Sequence, residues 1–249
     1  MGKFDFDATF GDDYLHFYLP ALTTDRNEAD AAEIIAALDL QPGDRVLDAP
    51  CGHGRISNLL AKAGIDVVGI DRTGPFLDVA RHDADNLGVT VDYRLGDLLD
   101  LDSVVTGPFD AVINWFTSFG YHDDEQLQLI LAAYHRTLKP GGLLLLETLH
   151  HDWFVRHHVQ PPFTNMTEVG DDVMYDRSTL DSTTGRVETD RTVIRNGVLR
   201  TSHHYVRLPT APELRAWLHD AGFHDVRITS RDQRPLTINS RRMLTVARA

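Results

Sequence analysis

Apolar residues fall at helical spacing over 29–40 (ADAAEIIAALDL), and Gln41-Pro42-Gly43-Asp44 then breaks the run, so the first forty residues read as helical. From that point the period alternates. A strand over 45–48 precedes a helix over 55–63, a strand over 66–70 precedes a helix over 75–87, and a strand over 89–94 leads through a loop to another over 109–114. Strand and helix in alternation predict a parallel sheet covered on both faces, because each crossover returns the chain to the same end of the sheet. A helix over 124–138 is stopped by Lys139-Pro140-Gly141-Gly142, and a buried strand follows over 143–147. A helix over 212–221 and strands over 226–230 and 243–247 complete an α/β, doubly wound, mostly parallel sheet of seven strands.

Between Leu149 and Pro209 the pattern changes to alternation. Residues 173–180, 186–195 and 198–208 read as strands, with Gly185 and Asn196-Gly197 between them, and Asn-Gly is a tight-hairpin signal. The chain therefore divides into a helical lid at 1–40, a sheet domain at 41–149 and 209–249, and a late antiparallel insertion at 150–208. The insertion is expected to cap a site, to form a homodimer surface, or to extend the sheet.

Composition narrows the function classes. The 249 residues, 42% hydrophobic and 24% charged, suffice for a sizeable core. A formal net charge of -13 repels a phosphate backbone, and Arg191, Arg195 and Arg200 alternate with acids and apolar residues instead of forming a basic patch. Nucleic acid is not an expected partner. The single Cys51 excludes an internal disulfide, and no signal-peptide pattern or long apolar run precedes the first charged residues, so a cytoplasmic chain without a membrane partner is expected. The thirteen histidines include the pairs His150-His151, His157-His158 and His203-His204, but neighbours on a strand point to opposite faces and chelate one ion poorly. No metal is expected.

The chemistry concentrates in "VLDAPCGHGRIS", residues 46–57, where a glycine-rich turn follows the first strand and lets a ligand approach the backbone at a helix start. A dinucleotide fingerprint fails here, because Ser57 stands where the third glycine would fall. The acid Asp48, then Ala49, Gly52 and Gly54, resemble motif I of the class I S-adenosylmethionine-dependent methyltransferases. Other signals agree in order. Asp71, followed by Arg72, ends the second strand, where an ionised carboxylate can accept from both hydroxyls of a ribose. Gly96-Asp97-Leu98 follows the third strand, where the family sets an acid and a backbone amide against adenine. Residues 109–114, ending in Asn114, and 138–142 resemble the motifs at the fourth strand and before the fifth. The stretch 114–121 (NWFTSFGY) and the late insertion resemble bacterial small-molecule methyltransferases.

The resemblance implies a Rossmann-like sheet, S-adenosyl-L-methionine as cofactor with S-adenosyl-L-homocysteine as product, and a small-molecule acceptor with an N, O or C nucleophile. Two alternatives stay open: a different transferase on the same donor scaffold, such as an aminopropyltransferase, and a non-catalytic cofactor-binding regulatory module. Tyr14, Phe17 and Tyr18 are expected to close over the cofactor and offer ring faces to its positive charge, and Arg26 to meet its carboxylate. His150, just past the fifth strand, is expected to act with Asn114 and Trp115 as a general base or acceptor-orienting group, because those strand ends flank the point of transfer in this family.

Overall fold

The computed structural model describes residues 4–158 and 162–249. Two short helices, α1 (Phe6–Thr9) and α2 (Asp12–Tyr18), and a longer α3 (Thr24–Leu38) come first. The Thr23 hydroxyl accepts the Arg26 amide to open α3, and Asp39 closes it in the left-handed region. The chain continues through β1 (Arg45–Asp48), α4 (Ser57–Lys62), β2 (Asp66–Asp71), α5 (Gly74–Leu87), β3 (Asp92–Leu95), α6 (Leu101–Val104) and β4 (Phe109–Asn114). Next come α7 (Asp124–Thr137), which opens on a capping box between Asp123 and Gln126, and β5 (Leu138–Leu149). The later elements are α8 (His151–His157), β6 (Phe163–Val169), β7 (Asp172–Asp181), β8 (Arg186–Arg195), β9 (Val198–Arg207), α9 (Ala211–Asp220), β10 (His224–Ser230) and β11 (Arg242–Arg248).

Seven strands lie in the order β10-β11-β5-β4-β1-β2-β3, and β11 runs antiparallel to both its neighbours. Alternate residues of the central strands face opposite layers. Leu47 and Val112 pack with Leu127, Leu131 and Tyr134 of α7 and Leu214 of α9, whereas Val46 and Ile113 pack with Ile34 and Leu38 of α3 and Leu60 of α4. Each such leucine or valine contributes roughly 1.5–3 kcal/mol when fully buried. The chain runs outward from β1 to β3 and then returns to β4 on the other side of β1, so the order reverses between β1 and β4. In an open α/β sheet that reversal leaves a crevice at the carboxyl ends of the strands.

The late strands form a separate antiparallel sheet in the order β6-β7-β8-β9 and do not extend the first one. The three strands read from the sequence are β7, β8 and β9, and the turn between β8 and β9 has Asn196 and Gly197 at positive φ. Met174 and Val193 on the sheet's inner face bury Phe17 of α2. Helices α1 and α2 are thereby held between the second sheet and the carboxyl ends of the first, whereas α3 packs on a face of the first sheet. No described helix is long and apolar enough to cross a membrane.

Candidate active site

A cavity occupies the crevice at the strand ends. Its floor comes from the strand ends: Pro50, Gly52 and His53 after β1, Asp71, Arg72 and Thr73 after β2, and Gly96, Asp97 and Leu98 after β3. Phe116, Ser118, Tyr121 and His122 after β4 supply one wall, and Phe76 of α5 another. Phe6, Phe10 and Tyr14 form the roof.

Asp71 organises the floor. One carboxylate oxygen accepts the Gly52 amide at 2.8 Å and the other the Thr73 amide at 2.8 Å, which ties the β1 loop to the end of β2 and leaves acceptor capacity on the carboxylate. Burial lifts this carboxyl above the ordinary range while the two backbone amides pull it down. Gly52 and Gly54 both have positive φ, but their surroundings differ. A side chain at Gly52 would extend into open space, whereas one at Gly54 would strike the Tyr93 hydroxyl and the Ala80 methyl. At Gly54 the protein itself fills that direction, and the left-handed backbone restricts the residue type as well.

Several predicted residues stand outside the cavity wall. Asp48 is buried beneath the floor, accepts the Ser57 hydroxyl at 2.5 Å, and is lifted by burial to a pKa of about 7. The Ala49 carbonyl takes the Tyr134 hydroxyl at 2.6 Å, and Asn114 donates to that same hydroxyl at 3.0 Å, so Asn114 is drawn inward. Trp115 is buried under Arg231. His150 follows β5 toward β11, its amide on the Arg241 carbonyl and its Nδ1 2.9 Å from the Ser240 carbonyl, and those two bonds hold its ring away from the cavity. The structure therefore does not bring His150, Asn114 and Trp115 to the cavity, which corrects the expectation that these strand ends meet an acceptor there.

Tyr14 lines the roof and stacks on Tyr18 with ring centroids 4.5 Å apart, which leaves Tyr18 one layer behind with its hydroxyl accepting from Arg191. Arg26 donates to the Ala21 carbonyl and stands over Phe116 from outside the wall. Arg72 pairs with Asp97 at 3.2 Å and covers the Phe6 ring at 4.0 Å, joining floor to roof.

Sequence reasoning missed Phe6, Phe10, Phe76, Phe116, Tyr121, His53 and His122. The aromatic spacing in "KFDFDATF" (3–10) and the run Phe119-Gly120-Tyr121-His122 were the available signals. His122 is buried in the wall, and desolvation lowers its pKa although Asp97 and Gln126 act to raise it. His53 is pushed down to about 4 by burial and by the positive charge of Arg55. Both rings are therefore neutral around pH 7, with one nitrogen free to accept.

Residues 46–142 match the family of methyltransferase domains. A ubiquinone biosynthesis O-methyltransferase of Xanthomonas campestris pv. campestris (strain B100) is 38% identical over 118 residues, 47% of this chain and 48% of that one. The chain thus spans about half the length of the curated relatives it matches first. Among solved structures, an S-adenosylmethionine-dependent methyltransferase from Clostridium acetobutylicum ATCC 824 superposes with a TM-score of 0.78 at 15% identity, covering 95% of this chain and 98% of that one. A SAM-bound amino pentose methyltransferase from Micromonospora echinaspora gives 0.68 at 22% identity, with 96% and 98% covered. The structures speak for the fold, which is that of S-adenosylmethionine-dependent methyltransferases, and residues 46–142 carry the methyltransferase domain.

Proposed function

We propose that the protein transfers a methyl group from S-adenosyl-L-methionine to a small-molecule acceptor, an N, O or C nucleophile, by in-line displacement. The observation that carries this reading is the floor itself: a buried carboxylate with acceptor capacity left, Asp71, bonded to a left-handed glycine whose side-chain direction is open, Gly52. Those groups fit a ribose and an adjoining amino-acid chain. Gly96, Asp97 and Leu98 line the same floor where an adenine edge needs a donor and an acceptor. When bound, the cofactor supplies a methyl group on a positively charged sulfur, with a neutral thioether as leaving group. The chain's own contribution is desolvation and alignment. Phe10, Tyr14, Phe76 and Tyr121 close on one another at centroid distances of 5.0 to 6.4 Å, exclude water, and present ring faces to a cation. His122, neutral in the wall, accepts a proton from an acceptor hydroxyl or ammonium.

Calorimetry with S-adenosylhomocysteine tests the floor. Asp71→Ala is expected to weaken binding by roughly 1.5–3 kcal/mol, the worth of hydrogen bonds to a charged acceptor, and unchanged affinity in a folded variant would refute the site. Turnover, read as S-adenosylhomocysteine release with a panel of amines, phenols and acids, tests the activity. Because burial lowers the His122 pKa, kcat/KM should rise with pH to a plateau reached from below the ordinary histidine value of about 6.5. In His122→Gln that rising limb should vanish. A variant that keeps it leaves the proton to another group.

A further inference from the structure

Three arginines from separate elements converge on one ring of the cavity wall. The guanidinium carbons of Arg26 on α3, Arg55 before α4 and Arg242 on β11 lie 5.2, 5.1 and 5.3 Å from the centroid of Phe116. Arg231 stands 5.0 Å from the neighbouring ring of Trp115. Three carboxylates serve these four cations. Asp30 takes Arg55 at 2.7 Å and also Arg231, Glu33 takes Arg231 at 2.7 Å, and Glu147 takes Arg242 at 3.3 Å. Among the described residues the Arg26 guanidinium has no carboxylate partner and donates only to the Ala21 carbonyl.

Unmet hydrogen-bonding atoms lie on both sides of the cluster, with Glu33 Oε1 and Glu147 Oε1 among them beside one guanidinium nitrogen. The Arg55 side chain is 8% exposed, and its Nη2 is buried without a hydrogen-bond partner. Such a donor is costly to leave unpaired. Burial depresses the pKa of Arg242, and Arg241, Arg231 and Arg26 depress it further while Glu147 opposes them. Planar guanidinium forks complement carboxylates and phosphates, so the group that would complete this cluster is an anion of that kind. Arg231, Arg241 and Arg242 also line a concave cleft on the β10–β11 loop, which places Arg242 between that cleft and Phe116. Phe116 and Thr117 both hold positive φ, 66° and 64°, an unfavourable setting for two consecutive residues with side chains.

We propose that Arg26, Arg55 and Arg242 form an anion subsite for the methyl acceptor, so that the acceptor carries a carboxylate or a phosphate and Phe116 stands between that group and the donor cavity. This rests on the methyltransferase reading and names the acceptor's chemical class. The position suits the role, since Arg242 pairs across from Leu149 at the end of β5 and Phe116 follows β4, beside the donor floor and not within it.

The test is calorimetry on the protein saturated with S-adenosylhomocysteine, titrated with benzoate, phenyl phosphate and the neutral isostere benzamide. The anions should bind about tenfold or more tightly than benzamide, and the tighter of the two identifies the group preferred. Arg26→Gln and Arg242→Gln should each remove that margin while S-adenosylhomocysteine affinity stays within about twofold. Benzamide binding as well as the anions, no anion binding, or loss of S-adenosylhomocysteine affinity in step with the anions would each overturn the proposal, the last because the arginines would then be serving the donor's own carboxylate. Failure of the wild-type protein to bind S-adenosylhomocysteine would count against the methyltransferase reading instead.

Discussion

Two glycines on the loop after β1 share a left-handed backbone and answer to different neighbours. Gly52 borders the cavity, with open space where a methyl group would go, while Gly54 is pressed against Tyr93 and Ala80. A non-glycine residue in this region costs about 1–2 kcal/mol for its backbone. Gly52→Ala should therefore fold with that modest loss and bind S-adenosylhomocysteine poorly. Gly54→Ala adds overpacking of roughly 1–3 kcal/mol and should melt distinctly lower. Thermal unfolding and calorimetry on both variants separate the two roles, and equal melting temperatures would show that Tyr93 yields without cost. The motif made both glycines visible in the sequence, because a positive φ restricts the residue type directly. It did not say which of them faced the ligand, since that depends on Tyr93, brought in by β3.

The roof is positioned by the second sheet. Asp13 on α2 receives Arg195 of β8 at 3.1 Å and Arg200 of β9 at 2.7 Å, and Arg191 of β8, which grips Asp176 by two bonds, donates to the Tyr18 hydroxyl at 3.0 Å. The Asp13 pairs are partly exposed and so respond to salt. Asp13→Ala is expected to speed S-adenosylhomocysteine release severalfold, and its release rate should depend less on ionic strength than the wild-type rate does. Stopped-flow dissociation checks both, and an unchanged rate would detach this latch from the cavity. Elements with a clear apolar period, such as β4 and α7, were legible from the sequence to within a residue. The edge strand β6 was not, because Thr164, Asn165, Met166 and Glu168 are all exposed and leave no alternation to read. His150 was misplaced for a related reason: the residue that draws it aside, Ser240, lies ninety positions away.

At the scale of the whole molecule, floor and roof differ in how far apart in the chain their partners lie. Gly52 and Asp71 are 19 residues apart, whereas Tyr18 and Arg191 are separated by 173 and Asp13 and Arg200 by 187. The sequence therefore showed the floor as a motif and only part of the roof, since Tyr14 was expected over the cofactor whereas Phe6 and Phe10 acquire a place only through the late strands. That spacing has a consequence in time. As the chain leaves the ribosome, the residues of the floor are complete long before α2 has anything to rest on, and loop-closure entropy imposes the same sequence on refolding. In pulse-labelled hydrogen exchange the amides of β1 and β4 should gain protection ahead of those of α2. Until about two hundred residues have been made, then, the nascent protein is an open bowl, and the last hairpin to arrive is what closes it.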